Sequence, residues 1–255
     1  MKTIFFILVI ASSVIAQRPQ ATPKGELLFD FRKDKPSNAV RISAATQRSV
    51  LSKVFRRYLV DQDKCRSDFA GSDSNDYLAA ARKAGQIVPS ILDMTTGSFT
   101  AAGQTQTAYV ISVSECNASH ADNFGTKRIA IFSGQQLVAD VDADFMGGIM
   151  RKTDLDGNGI DELLMISYDI AQGNVTEMAT LASFENGRRR VIRDFGPVVL
   201  DSCASLSPGS DSRAAVLYTG AFAPGSIPTI TQENYVAGCR NPHRWKFVSR
   251  GKMQE

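Results

Sequence analysis

Acidic side chains crowd residues 154–162, and that crowding restricts what the chain can fold into. The run Asp154-Leu155-Asp156-Gly157-Asn158-Gly159-Ile160-Asp161-Glu162-Leu163-Leu164 places side-chain oxygens at every second position from 154 to 158. Gly157 and Gly159 allow a sharp bend, a further acidic pair follows, and an apolar run begins at once. Four carboxylates within nine residues repel one another unless something positive draws them together. A hard cation such as Ca²⁺ takes about six to eight oxygen ligands, and a tight loop of alternating carboxyl and amide groups can aim them at one point. An EF-hand needs a bidentate Glu at its twelfth position and a helix after the loop. That position holds Met165, and residues 163–168 (LLMISY) form a bounded, β-compatible run. The loop therefore opens onto a strand.

The remainder of the chain places this loop in a secreted or periplasmic setting. Residues 1–16 read as a signal peptide: Lys2 is the positive head, residues 4–10 the apolar segment, and Val14-Ile15-Ala16 the small-residue cleavage site. That apolar segment is shorter than the about 20 residues a bilayer crossing needs, and no later run is long enough either. Cleavage after Ala16 would leave 239 of the 255 residues, ample for one large core or two small ones. Losing Lys2 takes 29 basic residues to 28 against 26 acidic ones, a net charge of +2. So near a balance argues against nucleic acid or an anionic membrane surface as partner. Cys65, Cys116, Cys203 and Cys239 are an even set suited to two disulfides in an oxidising compartment. Three pairings are open. Proximity in the last third favours Cys203 with Cys239, leaving Cys65 with Cys116. No CxxC spacing points to redox chemistry or zinc.

Periodicity divides the mature chain into three parts. Residues 17–40 carry Pro19, Pro23 and Pro36 around one apolar patch, Leu27-Leu28-Phe29, and read as an N-terminal arm or linker. Residues 41–86 read as helical. Ile42, Ala45, Val50, Leu51, Val54, Phe55, Tyr58 and Leu59 recur at helical intervals, with Arg48, Lys53, Arg56 and Arg57 on the solvated side. A second helix fits 76–84, capped by Ser74, Asn75 or Asp76 and ended by Gly85. From 87 to 255 strand signals take over: 109–113, 128–132, 136–141, 163–168, 175–184, 188–195, 214–219 and 245–248. Ser133-Gly134-Gln135 and Glu185-Asn186-Gly187 join two of these pairs as hairpins. Three polar glycine loops, at Gly103, Gly159 and Gly209, each feed an apolar strand at spacings of 56 and 50 residues. The expected fold is mainly β, with antiparallel meanders shaped like propeller blades and a short helical N-terminal part. A β-sandwich built from the same meanders is the alternative.

In this setting the acidic loop and its strand resemble the calcium loop of the FG-GAP family and the related VCBS repeats of extracellular propeller blades. Gly97-Ser98-Phe99-Thr100 with Gly103 resembles a degenerate copy of the phenylalanine-glycine half of that motif. The resemblance implies one Ca²⁺, held by side chains of Asp154, Asp156 and Asn158, the carbonyl of Ile160 and the carboxylate of Glu162. The family often has Asp where this chain has Glu162, and Asp161 is the alternative last ligand. The loops at Gly103 and Gly209 supply too few carboxylates for further ions. The resemblance further implies a non-catalytic binding or scaffold module recognising an extracellular protein or glycan.

Motifs for catalysis are sparse. The chain has no Gly-x-Ser-x-Gly elbow, no HExxH, no P-loop and no dinucleotide fingerprint. Its two histidines are His120 and His243. His120 with Asp122 in a polar loop is the best foothold for the alternative, an extracellular hydrolase with an acidic active site. Arg188-Arg189-Arg190 reads as a solvated strand start. Asn117-Ala118-Ser119 and Asn174-Val175-Thr176 match the N-glycosylation acceptor.

Overall fold

A computed structural model describes residues 25–33, 42–55, 57–58, 83, 85, 87–115, 126–143, 146–205, 210–221, 223 and 225–253. The expected signal peptide, Cys65, Cys116, His120, Asp122 and all but residue 83 of the second helix lie outside them. In chain order come β1 (Glu26–Asp30), α1 (Ala44–Val54), β2 (Ile87–Gly97), β3 (Gln106–Glu115), β4 (Thr126–Ser133) and β5 (Gln136–Asp142). There follow β6 (Met146–Thr153), β7 (Glu162–Ala171), β8 (Asn174–Ser183), β9 (Arg190–Asp201), β10 (Asp211–Thr219), β11 (Ile230–Gly238) and β12 (Lys246–Arg250). The chain is mainly β, built of antiparallel meanders with one helix among the described residues.

Two sheets result. The smaller runs β2-β3-β4-β5, and the larger runs β12-β11-β10-β9-β8-β7-β6 with β1 paired to β10. Strand alternation explains how they stack. Ala108, Val110, Ile129 and Ile131 of β3 and β4 point to a core shared with Leu163, Met165, Ala182 and Phe184 of the larger sheet. Their neighbours Tyr109, Ile111, Ala130 and Phe132 point the other way, onto Val50, Leu51 and Phe55. Leu164, Ile166, Ala179 and Leu181 face a third core inside the larger sheet's curl. The order is thus helix, small sheet, large sheet, and an apolar filling within the large sheet.

The curl has a visible cause. β9 shifts register against β8 three times, and β6 shifts twice against β7. Such bulges bend a strand and increase its twist. Gly196, within β9, takes φ +65°, and its N–H donates to Asp194 Oδ1 at 2.9 Å. The large sheet becomes a curled half-barrel. β9 accompanies β10 only from Ala214 to Ser212, and β1 then occupies the same side of β10 from Val216 to Thr219. The Leu27-Leu28-Phe29 patch is therefore a strand of the sheet, with Leu28 and Phe29 buried in the curl beside Phe31.

α1 begins at a Ser43 cap, whose hydroxyl accepts from the Thr46 N–H at 3.1 Å. It is shorter than the apolar periodicity over 42–59, since Phe55 is already extended. Asp93, only 8% exposed, joins the two sheets. Its Oδ1 accepts from Met94 N (2.7 Å) and its Oδ2 from Ile149 N on β6 (2.9 Å). Cys203 and Cys239 form a disulfide, as their proximity in sequence favoured.

The repeat has a structural counterpart in part. β2–β5 and β6–β9 are each a four-stranded meander with a glycine loop between first and second strands. The loop expected at Gly209 falls between β9 and β10, a different point in the strand order, and residue 209 itself is outside the described residues.

Candidate functional site

The acidic loop closes the β6–β7 hairpin, where Thr153 pairs with Glu162. Its apolar residues anchor it: Leu155 is 5% exposed and Ile160 6% exposed. Between these anchors the loop folds around its own side-chain oxygens. Asn158 N donates to Asp154 Oδ1 and to Asp156 Oδ1, both at 3.1 Å. Gly159 N donates to Asp154 Oδ2 at 2.9 Å, and Ile160 N to Asn158 Oδ1 at 2.7 Å. The Asn158 side-chain amide donates to Asp156 Oδ2 at 3.2 Å. Gly157 and Gly159 sit at φ +71° and +81°, conformations that L side chains rarely adopt.

These contacts gather three carboxylates. Oxygens of Asp154, Asp156 and Glu162 lie within 4.8 Å of one another. Asp154 is exposed, Asp156 is 7% exposed and Glu162 is 1% exposed. Glu162 Oε2 accepts from Leu155 N at 2.9 Å. Burial pushes the Glu162 carboxyl up to about 7, and the negative Asp156 and Asp154 push the same way. The arrangement strains against its own charge. Each ionised carboxylate has about four lone-pair sites, so the backbone donors leave capacity for a further electrophile. Three converging carboxylates are hard oxygen ligands of the kind a divalent cation takes.

Asp161 takes a different role. Adjacent residues of an extended segment point to opposite sides, and Asp161 turns to the β2–β3 loop. Its N–H donates to the Ser98 carbonyl at 2.6 Å, and its Oδ2 accepts from Ser98 N at 2.8 Å. Lys152 Nζ stands 3.9 Å from the same oxygen. A Cβ on Gly97 would come within 2.4 Å of Asp161 Oδ2, so glycine is what lets the two loops close up. Other turns converge on the same end. Asn186 N donates to the Thr100 carbonyl at 2.9 Å, and Gly225 N to the Asp156 carbonyl at 2.7 Å. The acidic loop therefore touches the turns after β2 and β10 directly, and the turn after β8 through Thr100.

Residues that the pattern of the sequence did not single out form a second polar cluster. Asp30, 4% exposed, accepts from Arg32 Nε at 2.8 Å and from Nη2 at 2.7 Å. The Arg32 guanidinium lies 4.1 Å from the Tyr235 ring centroid. The Tyr235 hydroxyl donates to Glu233 Oε2 at 2.7 Å, and Arg250 Nε to Glu233 Oε1 at 3.1 Å. Burial, then the Glu233 hydrogen bond and charge, hold the Tyr235 hydroxyl far above its usual range. Every carboxylate here faces a donor, so the cluster ties β1 and β12 to the sheet and leaves no free acid or base. His243 is exposed between β11 and β12, and Arg189 Nη1 donates to the Asp142 carbonyl at 3.2 Å. No family model, curated protein or solved structure matches the chain.

Proposed function

We propose that the chain is a secreted, calcium-stabilised β-rich binding or scaffold module of the FG-GAP type, without catalytic activity, whose partner is an extracellular protein or glycan. The convergence of Asp154, Asp156 and Glu162 within 4.8 Å, in a loop followed by a strand, carries this reading. Asn158 Oδ1 and the Ile160 carbonyl would complete the ligand set with them. Calcium bound there supplies the positive charge that the loop lacks. The residues themselves do the rest: Leu155 and Ile160 fix the loop, Asp161 clasps Ser98, and Asp156 holds Gly225 through its carbonyl. Secretion agrees with the Cys203–Cys239 disulfide. Among the described residues no helix is long and apolar enough to cross a membrane.

Because an unfolded chain has no preformed site, binding free energy becomes folding free energy. At a hundredfold excess over Kd this amounts to about 2.7 kcal/mol. For a chain of this size that is a shift of roughly 5–11 °C in Tm. A melt in calcium against one in EGTA should differ by that much, and Asp156→Ala should remove the difference. Equal midpoints for the unaltered protein in both buffers would contradict the reading. For the binding half, arrayed glycans and extracellular proteins should be captured in calcium and released by EGTA. Turnover of polysaccharide or peptide substrates would favour a hydrolase instead.

A further inference from the structure

We propose that the β11–β12 hairpin binds a linear polyanionic glycan, one bearing sulfate or uronate groups, through a line of uncommitted cations. The choice of a glycan as partner rests on the secreted reading above. Charge is unevenly distributed along the chain. Residues 234–253 contain five basic side chains, Arg240, Arg244, Lys246, Arg250 and Lys252, and no Asp or Glu. The net +2 of the chain after residue 16 therefore divides into +5 here and −3 elsewhere.

Four of these cations are exposed and available. Among the described residues Arg240, Arg244, Lys246 and Lys252 make no ion pair and no side-chain hydrogen bond. The carboxylates that strand register places at the hairpin are Asp211, opposite Gly238, and Glu233, opposite Arg250. Both are already engaged: Arg213 stands 3.3 Å from Asp211, and Arg250 stands 3.0 Å from Glu233. The hairpin also holds its shape with nothing bound. Cys239 is bonded to Cys203 at its base, and Trp245 packs against the core inside the curl. Between them Asn241 N donates to the Gly238 carbonyl at 2.8 Å, and Arg244 N to the Asn241 carbonyl at 3.0 Å. Anchoring of this kind lowers the ordering cost of binding.

The layout selects the class of partner. Lys246 and Arg250 open and close β12, roughly 13 Å apart along the strand. Arg240 and Arg244 precede them and Lys252 follows. A compact anion would meet one of these cations, whereas a chain of spaced negative groups meets several at once. β12 is an edge strand, but it is five residues long and bulged at Val248. Short, bulged, lysine-bearing edges resist the addition of a further strand. The hairpin thus offers its side chains rather than its backbone edge, which disfavours an acidic peptide. Anionic lipid gives the cytoplasmic leaflet its negative potential, and a secreted chain does not face that leaflet.

The test measures binding of the full chain to immobilised heparin and to polygalacturonate. Uncharged dextran, polyglutamate and phosphatidylserine vesicles are the other arms. One or both polyanionic glycans should bind, and the tighter identifies sulfate or carboxylate as the group recognised. The other arms should bind at least tenfold more weakly. Arg244→Gln/Lys246→Gln, at exposed positions, should weaken glycan binding at least tenfold. Arg48→Gln/Lys53→Gln, which removes the same charge from the exposed side of α1, should change it less than twofold. Added salt should weaken binding, since the charges involved are exposed. The proposal fails if neither glycan binds, if polyglutamate or the vesicles match them, or if the two double variants lose equally. Binding should persist in EGTA, and release there would move it to the acidic loop and overturn the hairpin assignment. Retention on the glycan by a chain that takes up no calcium would sink the metal reading alone, so the two failures are separately visible.

Discussion

Phe99→Ala will lower the unfolding free energy by about 3–5 kcal/mol, the range for truncating a fully buried phenylalanine. Phe99 is 0% exposed and sits in the core between the two sheets. Its backbone is fixed as firmly as its ring: Phe99 N and Thr100 N both donate to Gln106 Oε1 at 2.9 Å. Little of the surrounding structure can therefore relax into the space left behind, which places the cost high in that range. Both the apolar transfer and the cavity contribute. In a chain of this length the midpoint falls by roughly 2–4 °C per kcal/mol, so a loss of about 10 °C is expected by calorimetry or circular dichroism. Phe247→Ala is the control. Phe247 is 55% exposed on the last strand, and its truncation should cost about 1 kcal/mol or less. Equal effects of the two substitutions would contradict the packing described.

The second large effect is expected from the Cys203–Cys239 bridge. Its partners are 36 residues apart in sequence, and the loop they close contains β10 and β11. Closing a loop of that length removes enough freedom from the unfolded chain to stabilise the fold by about 3–4 kcal/mol. β9 pairs with β10 over only three residues before diverging. The covalent link thus secures a part of the sheet that the hydrogen-bond ladder holds weakly. Cys203→Ser/Cys239→Ser should lower the urea midpoint accordingly, with a steeper slope because the unfolded chain is free to expand. A loss below about 1 kcal/mol would mean that the reduced chain retains this geometry unaided.

Much of this architecture can be recognised from the residues alone, for physical reasons that differ by element. β3, β4, β7 and the second half of β8 are buried on both faces, so apolar and β-branched residues cluster in them and stand out. β2 contains Pro89 and polar residues, which obscure it, and it tolerates them because it is an edge strand. β6 opens on Met146-Gly147-Gly148 and bulges twice, which breaks alternation. β11 is the instructive case. Gln232, Glu233 and Asn234 are 2–4% exposed, a polar run that mimics a loop. Most of their polar atoms are met: Gln232 Nε2 donates to Asn234 Oδ1 and, at 3.4 Å, to the Pro197 carbonyl, Asn234 Nδ2 to Ser249 Oγ and the Gly251 carbonyl, and Glu233 meets Arg250, while Gln232 Oε1 is buried without a hydrogen-bond partner. Long-range partners of this kind leave no local trace.

The candidate site divides in the same way. Alternating oxygens at 154, 156 and 158 and the two glycines are local signals, so the loop is visible in the sequence. Whether Asp161 or Glu162 turns toward the other carboxylates depends on which face of the incoming strand each occupies. That is settled by Ser98, 63 residues away from Asp161 in sequence. The hydrogen bond from Lys53 Nζ to Gln135 Oε1 is also invisible locally, since it joins α1 to a turn 82 residues further along.

Isothermal titration of EGTA-stripped protein with calcium bears most directly on the acidic loop as a cation site. The unaltered chain should bind one Ca²⁺, Glu162→Gln should bind at least a hundredfold more weakly, and Asp161→Asn should keep the wild-type stoichiometry. No binding by the unaltered chain, or undiminished binding by Glu162→Gln, would contradict the assignment of Asp154, Asp156 and Glu162 as a metal centre.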